Sequence, residues 1–277
     1  MKVLQMRPEL DIAHEPGVAK PDPVLLIDGM RRSFGGLVAV DVGHLEIQRN
    51  TITSLIGPNG AGKTTLFNLL TGFDTPDAGD YSLHGRLLVG IPAHKVAQRG
   101  MVRTFQLTKV LPRLTVLDNM LVAAKTQPGA SLRGAILGGW HNAEKQNREQ
   151  AVDILERFGL AAMTTEYAGR LSGGQRKLLE MARALMVKPT VVMLDEPTAG
   201  VNPVLIQSLL GHVRDLKESG MTVLFVEHDM DVVQSISDWV VVVAEGHVIA
   251  EGPPAVIARN PAVIEAYLGK HRGEDVA

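Results

Sequence analysis

The sequence predicts an α/β protein: buried strands alternating with helices, an antiparallel β edge, and an inserted helical subdomain. Three observations carry that prediction. Aromatics make up only 4% of the 277 residues while glycine counts 28, a composition of many short α/β units rather than of an aromatic-cored sandwich. Val191 to Leu194 and Val223 to Val226 are β-branched runs of the kind buried in parallel sheets, and between them Pro203 to Ser219 places Leu205, Leu209, Val213 and Leu216 on one helical face. Between about residues 107 and 170 the alternation stops and helical patterns take over.

Taken in order, residues 1–23 mix Arg7, Glu9, Asp11 and Glu15 with Pro8, Pro16, Pro21 and Pro23 and hold no apolar export-signal core, so they read as a mobile N-terminal tail. Val24 to Asp28 and Val38 to Ile47 read as early strands, and Thr51 to Ile56 as a buried one. A glycine loop then opens a helix from Lys63 to Thr71, and Tyr81 to Val89, flanked by Gly79 and Gly90, reads as a sheet-edge strand. The core would thus comprise 24–106 and 171–269, interrupted by a helical subdomain over 107–170, with 270–277 a C-terminal tail. Inside the insertion, helices are expected at Thr115 to Lys125 and Ala143 to Phe158, joined by a Gly-rich link from Pro128 to Gly139. Glu144 with Arg148 and Asp153 with Arg157 are spaced i,i+4 for support of the second helix.

Composition removes several function classes. With 28 Lys and Arg against 30 Asp and Glu, the net charge of −2 supplies no basic field for nucleic acid or acidic lipid. Cysteine is absent, so neither a disulfide framework nor a thiolate metal site is available. Dense apolar stretches such as Trp239 to Ala244 fall well short of the roughly 18 residues a membrane span requires.

The string Gly57-Pro58-Asn59-Gly60-Ala61-Gly62-Lys63-Thr64 fits a phosphate-binding P-loop, and it stands where that pattern has meaning, between a buried strand and a helix start. Phosphate oxygens need several converging N–H donors; Gly57, Gly60 and Gly62 let the backbone approach, and the helix N-terminus adds its dipole. Lys63 would reach the β and γ phosphates and Thr64 would give its hydroxyl to Mg²⁺. A dinucleotide fingerprint is excluded because Thr65 stands where its third glycine belongs. A second element, Val191 to Glu196, is an apolar strand ending in two acids. Asp195 at its mouth would hold a water of the Mg²⁺ shell, and Glu196 would act as general base on the attacking water. By themselves these acids could equally terminate a strand and cap a turn. A third element is Leu171-Ser172-Gly173-Gly174-Gln175, a turn entering a helix. It is a second set of exposed N–H groups suited to phosphate, and it also has the spacing of a capping box.

Together these strings resemble the ATP-binding cassettes of ABC transporters, and the resemblance runs from about Val24 to Gly269. Gln106 in Arg103-Thr104-Phe105-Gln106 is similar to the family's Q-loop, His228 in Glu227-His228-Asp229 to its switch histidine, and Phe34 to the aromatic that stacks on adenine. The resemblance implies that ATP and Mg²⁺ bind along Phe34, Gly57 to Thr65 (Ala61 included), Gln106, Asp195 and, across a head-to-tail pair of cassettes, the Ser172, Gly173, Gly174 and Gln175 turn of the other ATPase subunit. Gln106 would sense Mg²⁺ and His228 would orient the γ-phosphate. One departure is Asn202, where many relatives carry Asp; before Pro203 it is also a natural helix cap.

Phe34 to Val40, Phe67 to Phe73, Leu114 to Met120 and Val263 to Gly269 resemble the ATPases of branched-chain amino acid uptake, and the long stretch from Lys125 to Arg148 favours the larger of the two such subunits. ATPases of urea or amide uptake and of lipopolysaccharide export are close alternatives. The implied partners are transmembrane permease subunits, a second ATPase subunit and, indirectly, a solute-binding protein, at the cytoplasmic face of the cell membrane. A nucleic-acid or ribosomal ABC ATPase would more often show two cassettes, a long coiled coil or a basic arm. A GTPase needs an Asn-Lys-x-Asp element, and no Asn here is followed by Lys.

Overall fold

The computed structural model describes residues 10–104, 110–124 and 140–268. Gln106, Thr108, Lys109, the expected link at 128–139, residues 1–9 and the tail after 268 lie outside them.

Two sheets organise the chain. The first is antiparallel, in the order β2 (Leu37–Gln48), β1 (Pro23–Phe34), β4 (Ala78–Leu83), β5 (Arg86–Leu87). Its long first hairpin turns at Gly35 and Gly36, both at positive φ, the conformation a two-residue hairpin turn demands. The second has six strands in the order β10 (His247–Gly252), β9 (Trp239–Ala244), β3 (Ile52–Ile56), β8 (Thr222–Val226), β7 (Val191–Asp195), β6 (Met101–Arg103). Strands β9 to β6 run parallel and β10 is an antiparallel edge.

Side-chain alternation along the parallel strands sorts residues to two faces. Val192, Leu194, Val223 and Phe225 point into one apolar cluster, while Val191, Met193, Leu224 and Val226 point into another. The first cluster is shared with helices α3 (Val116–Val122), α4 (Trp140–Arg157), α5 (Gly173–Leu185) and α6 (Pro203–Glu218). The second is filled by the antiparallel sheet, by α1 (Lys63–Leu70) and by Val96 of α2 (Ala93–Gln98). A smaller cluster joins β9 and β10 to α7 (Met230–Ile236), α8 (Pro254–Ile257) and α9 (Pro261–Leu268).

Three expectations need correcting. Tyr81 to Val89 is not one edge strand: His84 and Gly85, at φ 50° and 70°, fold it into the β4–β5 hairpin. Ser82, His84 and Arg86 alternate with Tyr81, Leu83 and Leu87 as the polar face of an edge strand would, which concealed a turn marked by one glycine. The N-terminal tail is docked from residue 10 onward. Lys20 is buried, its Nζ 2.6 Å from Glu251 Oε2, and Gly17 N–H donates to Glu251 Oε1 at 2.7 Å. Leu10, Ile12 and Val18 pack on the core, giving this polar segment enough apolar anchorage to order it. Finally, α4 begins at Trp140, and among the described residues the i,i+4 ion pair on its surface is Lys145–Glu149 rather than the two expected ones.

Candidate active site

The parallel register brings the sequence motifs to one edge. Val226 of β8 is level with Leu55 of β3 on one side and with Asp195 of β7 on the other. The next residues of these strands therefore leave the sheet side by side: the Gly57 loop, Glu196, and Glu227 with His228. The crevice outside the carboxyl ends of parallel strands is where α/β sheets bind ligands.

At that edge the glycine loop wraps onto its own helix. A Cβ on Gly57 would sit 1.9 Å from Val243 O, and one on Gly62 2.1 Å from Ala39 O, so backbone from β9 and β2 closes against both positions. Lys63 Nζ donates to Gly57 O at 2.6 Å and to Pro58 O at 2.9 Å, which places the cation over the hollow of the loop. Helix α1 starts from Gly62 at φ 101° with no side-chain cap and no acid in its first turn, whereas α3, α5 and α7 are capped by Thr115, Ser172 and Asp229. Its first N–H groups thus remain available to an anion, beside Asn59, Gly60 and Thr64, all exposed. The residues present fit a polyphosphate. Behind the loop, the Tyr267 hydroxyl of α9 is buried next to the Gly57 backbone without closing a hydrogen bond of normal geometry, and burial pushes its pKa up.

Asp195 is buried, and Arg103 holds one of its oxygens, Oδ2, at 2.5 Å while reaching Asn68 Oδ1 of α1 at 2.5 Å. Arg103 and Asn68 are site residues that the sequence reading passed over: a lone Arg ending a three-residue strand gives no signal of a partner ninety-two positions away. Glu196 adopts φ 45°, a left-handed conformation costing a non-glycine residue about 1–3 kcal/mol unless its surroundings hold it. Its N–H donates to Val226 O at 3.0 Å. Lys177 of α5, also missed, donates from Nζ to the carbonyls of Glu196, Pro197 and Ala199 at 3.2, 2.9 and 2.6 Å. Burial lowers the Lys177 pKa.

The Ser172 turn does not sit on this strand edge. It opens α5 with a complete capping box, Gln175 N–H donating to Ser172 Oγ at 3.2 Å and Ser172 N–H to Gln175 Oε1 at 2.9 Å. Ser172 and Gly173 face outward, and Gly174 lies under Leu205, whose Cδ1 a Cβ there would meet at 2.5 Å. His228 is exposed just past β8. Phe34, 48% exposed at the tip of the first hairpin, has the Arg32 guanidinium 4.6 Å over its ring. The apolar face of α3 turns inward: Met120 is buried and Leu117 and Leu121 pack on the same cluster, while Val122 and, in the preceding loop, Leu111 and Arg113 stay outside.

Beside the active edge lies a cavity of about 500 Å³, lined by Thr71, Phe73, Arg103, Thr104, Ala123 and Arg183 among others. It opens between the β6 end and the helical insertion, with Phe73 56% exposed at its rim.

The family model described as ABC transporter matches residues 40–199, and one described as branched-chain amino acid ATP-binding cassette transporter matches residues 247–272. The chain is 41% identical over 251 residues to the high-affinity branched-chain amino acid transport ATP-binding protein BraF of Pseudomonas aeruginosa, covering 90% of this chain and 98% of that one. It is equally similar to LivG of Escherichia coli K12, again 41% over 251 residues with the same coverage. Among solved structures, the ADP conformation of MJ1267, an ATP-binding cassette of an ABC transporter, superposes with a TM-score of 0.78 at 35% identity, over 89% of this chain and 99% of that one.

Proposed function

Because the chain belongs to the ATP-binding cassettes of ABC transporters, a family of ATPases, we infer that it is the ATP-hydrolysing subunit of a membrane importer for branched-chain amino acids. The observation that carries the catalytic part is the strand edge at which the Gly57 loop, Asp195, Glu196 and His228 emerge together. The solute class rests on the match of the C-terminal segment and on the similarity to BraF and LivG across nearly their whole length.

The site residues divide the work. Lys63, now on the loop carbonyls, would swing its ammonium to hydrogen-bond the β and γ phosphates, joined by the α1 N-terminus. Phe34 would stack on the adenine. Thr64, and Asp195 through a water of the ion's shell, would hold Mg²⁺, with Gln106 as a further contact, and the ion when bound would spread the charge of the phosphates. Glu196 takes a proton from water as its oxygen attacks the γ-phosphorus, and the bond to the bridging oxygen breaks to release ADP. His228 would orient the γ-phosphate. Ser172 and Gly174 of a second cassette would close over it, which makes the working unit a pair.

A transmembrane permease would dock a short helix of its cytoplasmic side into the cavity beside Phe73 and Ala123, holding this chain at the cytoplasmic face of the membrane. Its floor includes Arg103, which bonds Asp195 directly, so nucleotide state is one side chain from that surface. Among the described residues no helix is long and apolar enough to cross a membrane, so anchorage would come from that partner. The tests are direct. Glu196→Gln should keep ATP binding while slowing hydrolysis by roughly two to four orders of magnitude, and Lys63→Ala should weaken nucleotide binding itself. Parental hydrolysis by the Gln variant would remove Glu196 as the base. Purification of the chain from its membranes should bring permease subunits and a branched-chain amino acid binding protein with it; recovery of nucleic acid or ribosomal components alone would defeat the transport reading.

A further inference from the structure

Beside Glu196 stands a buried carboxyl that the hydrolytic scheme does not use. Glu227 is 1% exposed; the Thr198 hydroxyl donates to its Oε1, and its Oε2 has no hydrogen-bond partner among the described residues. Thr198 belongs to the loop that follows Glu196, and Glu227 follows Val226, whose carbonyl receives the Glu196 N–H. The strained residue is therefore gripped from two sides. Lys177 holds the loop's carbonyls from α5, and the end of β8 holds its backbone at Val226 and its Thr198 side chain at Glu227.

We propose that Glu227, through its bond to Thr198, is a positioning residue that fixes the Glu196 carboxylate for catalysis and ties it to the His228 loop. A left-handed non-glycine conformation persists only where neighbours over-determine it, and these contacts contribute to that hold. The link also explains why an acid is kept in a dry place. Burial pushes the Glu227 pKa up, with Glu196 and Asp229 adding to the rise and Thr198 and His228 opposing it, so the Thr198 hydroxyl is the contact that offsets the dry surroundings. Because Glu227 immediately precedes His228, a shift of the histidine on meeting the γ-phosphate would pass through one hydrogen bond to the loop bearing the base.

The proposal rests on the reading of Glu196 as general base, so Glu196→Gln is measured alongside in the full-length chain. Thr198→Val keeps shape and removes the donor; Glu227→Ala removes the acceptor; Glu227→Gln keeps it. Misplacing a reacting group by a fraction of an ångström to an ångström costs up to about a hundredfold, so Thr198→Val and Glu227→Ala should each lower kcat roughly 10- to 100-fold. KM for ATP should stay close to the parent's, while the thermal midpoint falls in both, since each leaves a buried polar group unpaired. Glu227→Gln should be at least about tenfold faster than Glu227→Ala, and the Thr198→Val/Glu227→Ala double variant no slower than either single, since both remove one contact. Parental kcat in Thr198→Val, a rise in KM that accounts for the loss, or additive effects in the double variant would overturn the proposal. If Glu227→Ala does not fold, Thr198→Val against Glu227→Gln decides alone. Full activity in Glu196→Gln would instead sink the base assignment, a separate outcome.

Discussion

Gly60 and Gly62 stand two positions apart in one loop, yet they answer to different constraints. Both have positive φ, 77° and 101°, where an added Cβ costs about 1–2 kcal/mol. At Gly60 that Cβ would point into open space, whereas at Gly62 it would meet Ala39 O at 2.1 Å, backbone that cannot swing aside. Gly62→Ala should therefore destabilise the nucleotide-free chain by about 1–3 kcal/mol more than Gly60→Ala, the usual cost of overpacking. Denaturant midpoints of the two variants check it, and equal losses would mean that β2 yields at Ala39. These glycines were legible in the sequence because a strand before them and a helix after them give the string its meaning. Arg103 and Lys177 were not, because a single cation carries no periodicity and its partners are distant in the chain.

At the scale of elements, α5 shows how one set of residues can satisfy two readings. Ser172 and Gln175 form the capping box that their spacing allows, and the same exposed turn is the surface proposed to meet a second cassette's nucleotide. Ser172→Ala should cost about 1 kcal/mol through the lost cap. Ser172→Asp separates the roles, because aspartate caps as well as serine but would turn a carboxylate toward phosphate. The expected outcome is a stability near the parent's with loss of ATP-induced pairing, read by thermal melting and by sedimentation velocity in ATP with the Glu196→Gln background. Pairing at the parental level in the Asp variant would leave Ser172 a cap and nothing more. Strands such as β7 and β8 were readable because burial on both faces demands continuous apolar runs. The β4–β5 turn escaped because Ser82, His84 and Arg86 keep the polar alternation of an edge strand through it, leaving Gly85 as its one marker.

At the scale of the molecule, the docked N-terminal segment ties the two sheets together. Glu251 on β10 accepts from Gly17 N–H, Val18 N–H, Lys20 Nζ and Trp239 Nε1, while Glu46 on β2 accepts from Lys20 N–H at 2.6 Å. No reading of composition could find this, since Pro and charge are as abundant in the segment as in a free tail and its carboxylate partners lie elsewhere in the chain. Glu46 is also touched by His44 Nε2 at 3.3 Å, and His44 Nδ1 meets Asp28 at 2.5 Å. The hydrogen bond to Asp28 raises the His44 pKa, with smaller help from Glu46 and against some desolvation. A histidine whose folded pKa is raised contributes stability that is fully present below the ordinary value of about 6.5 and is lost as pH climbs through the folded value. Lys20 works the other way, because burial lowers its pKa, so a histidine substitution is needed to assign any slope. Proteolytic cleavage within residues 10–22 should accordingly be slow near pH 6 and quicken toward pH 8.5, and His44→Gln should flatten that dependence while leaving the Lys20 contacts in place. If the quickening persisted unchanged in His44→Gln, protonation of this histidine would have no part in holding the segment to the sheets.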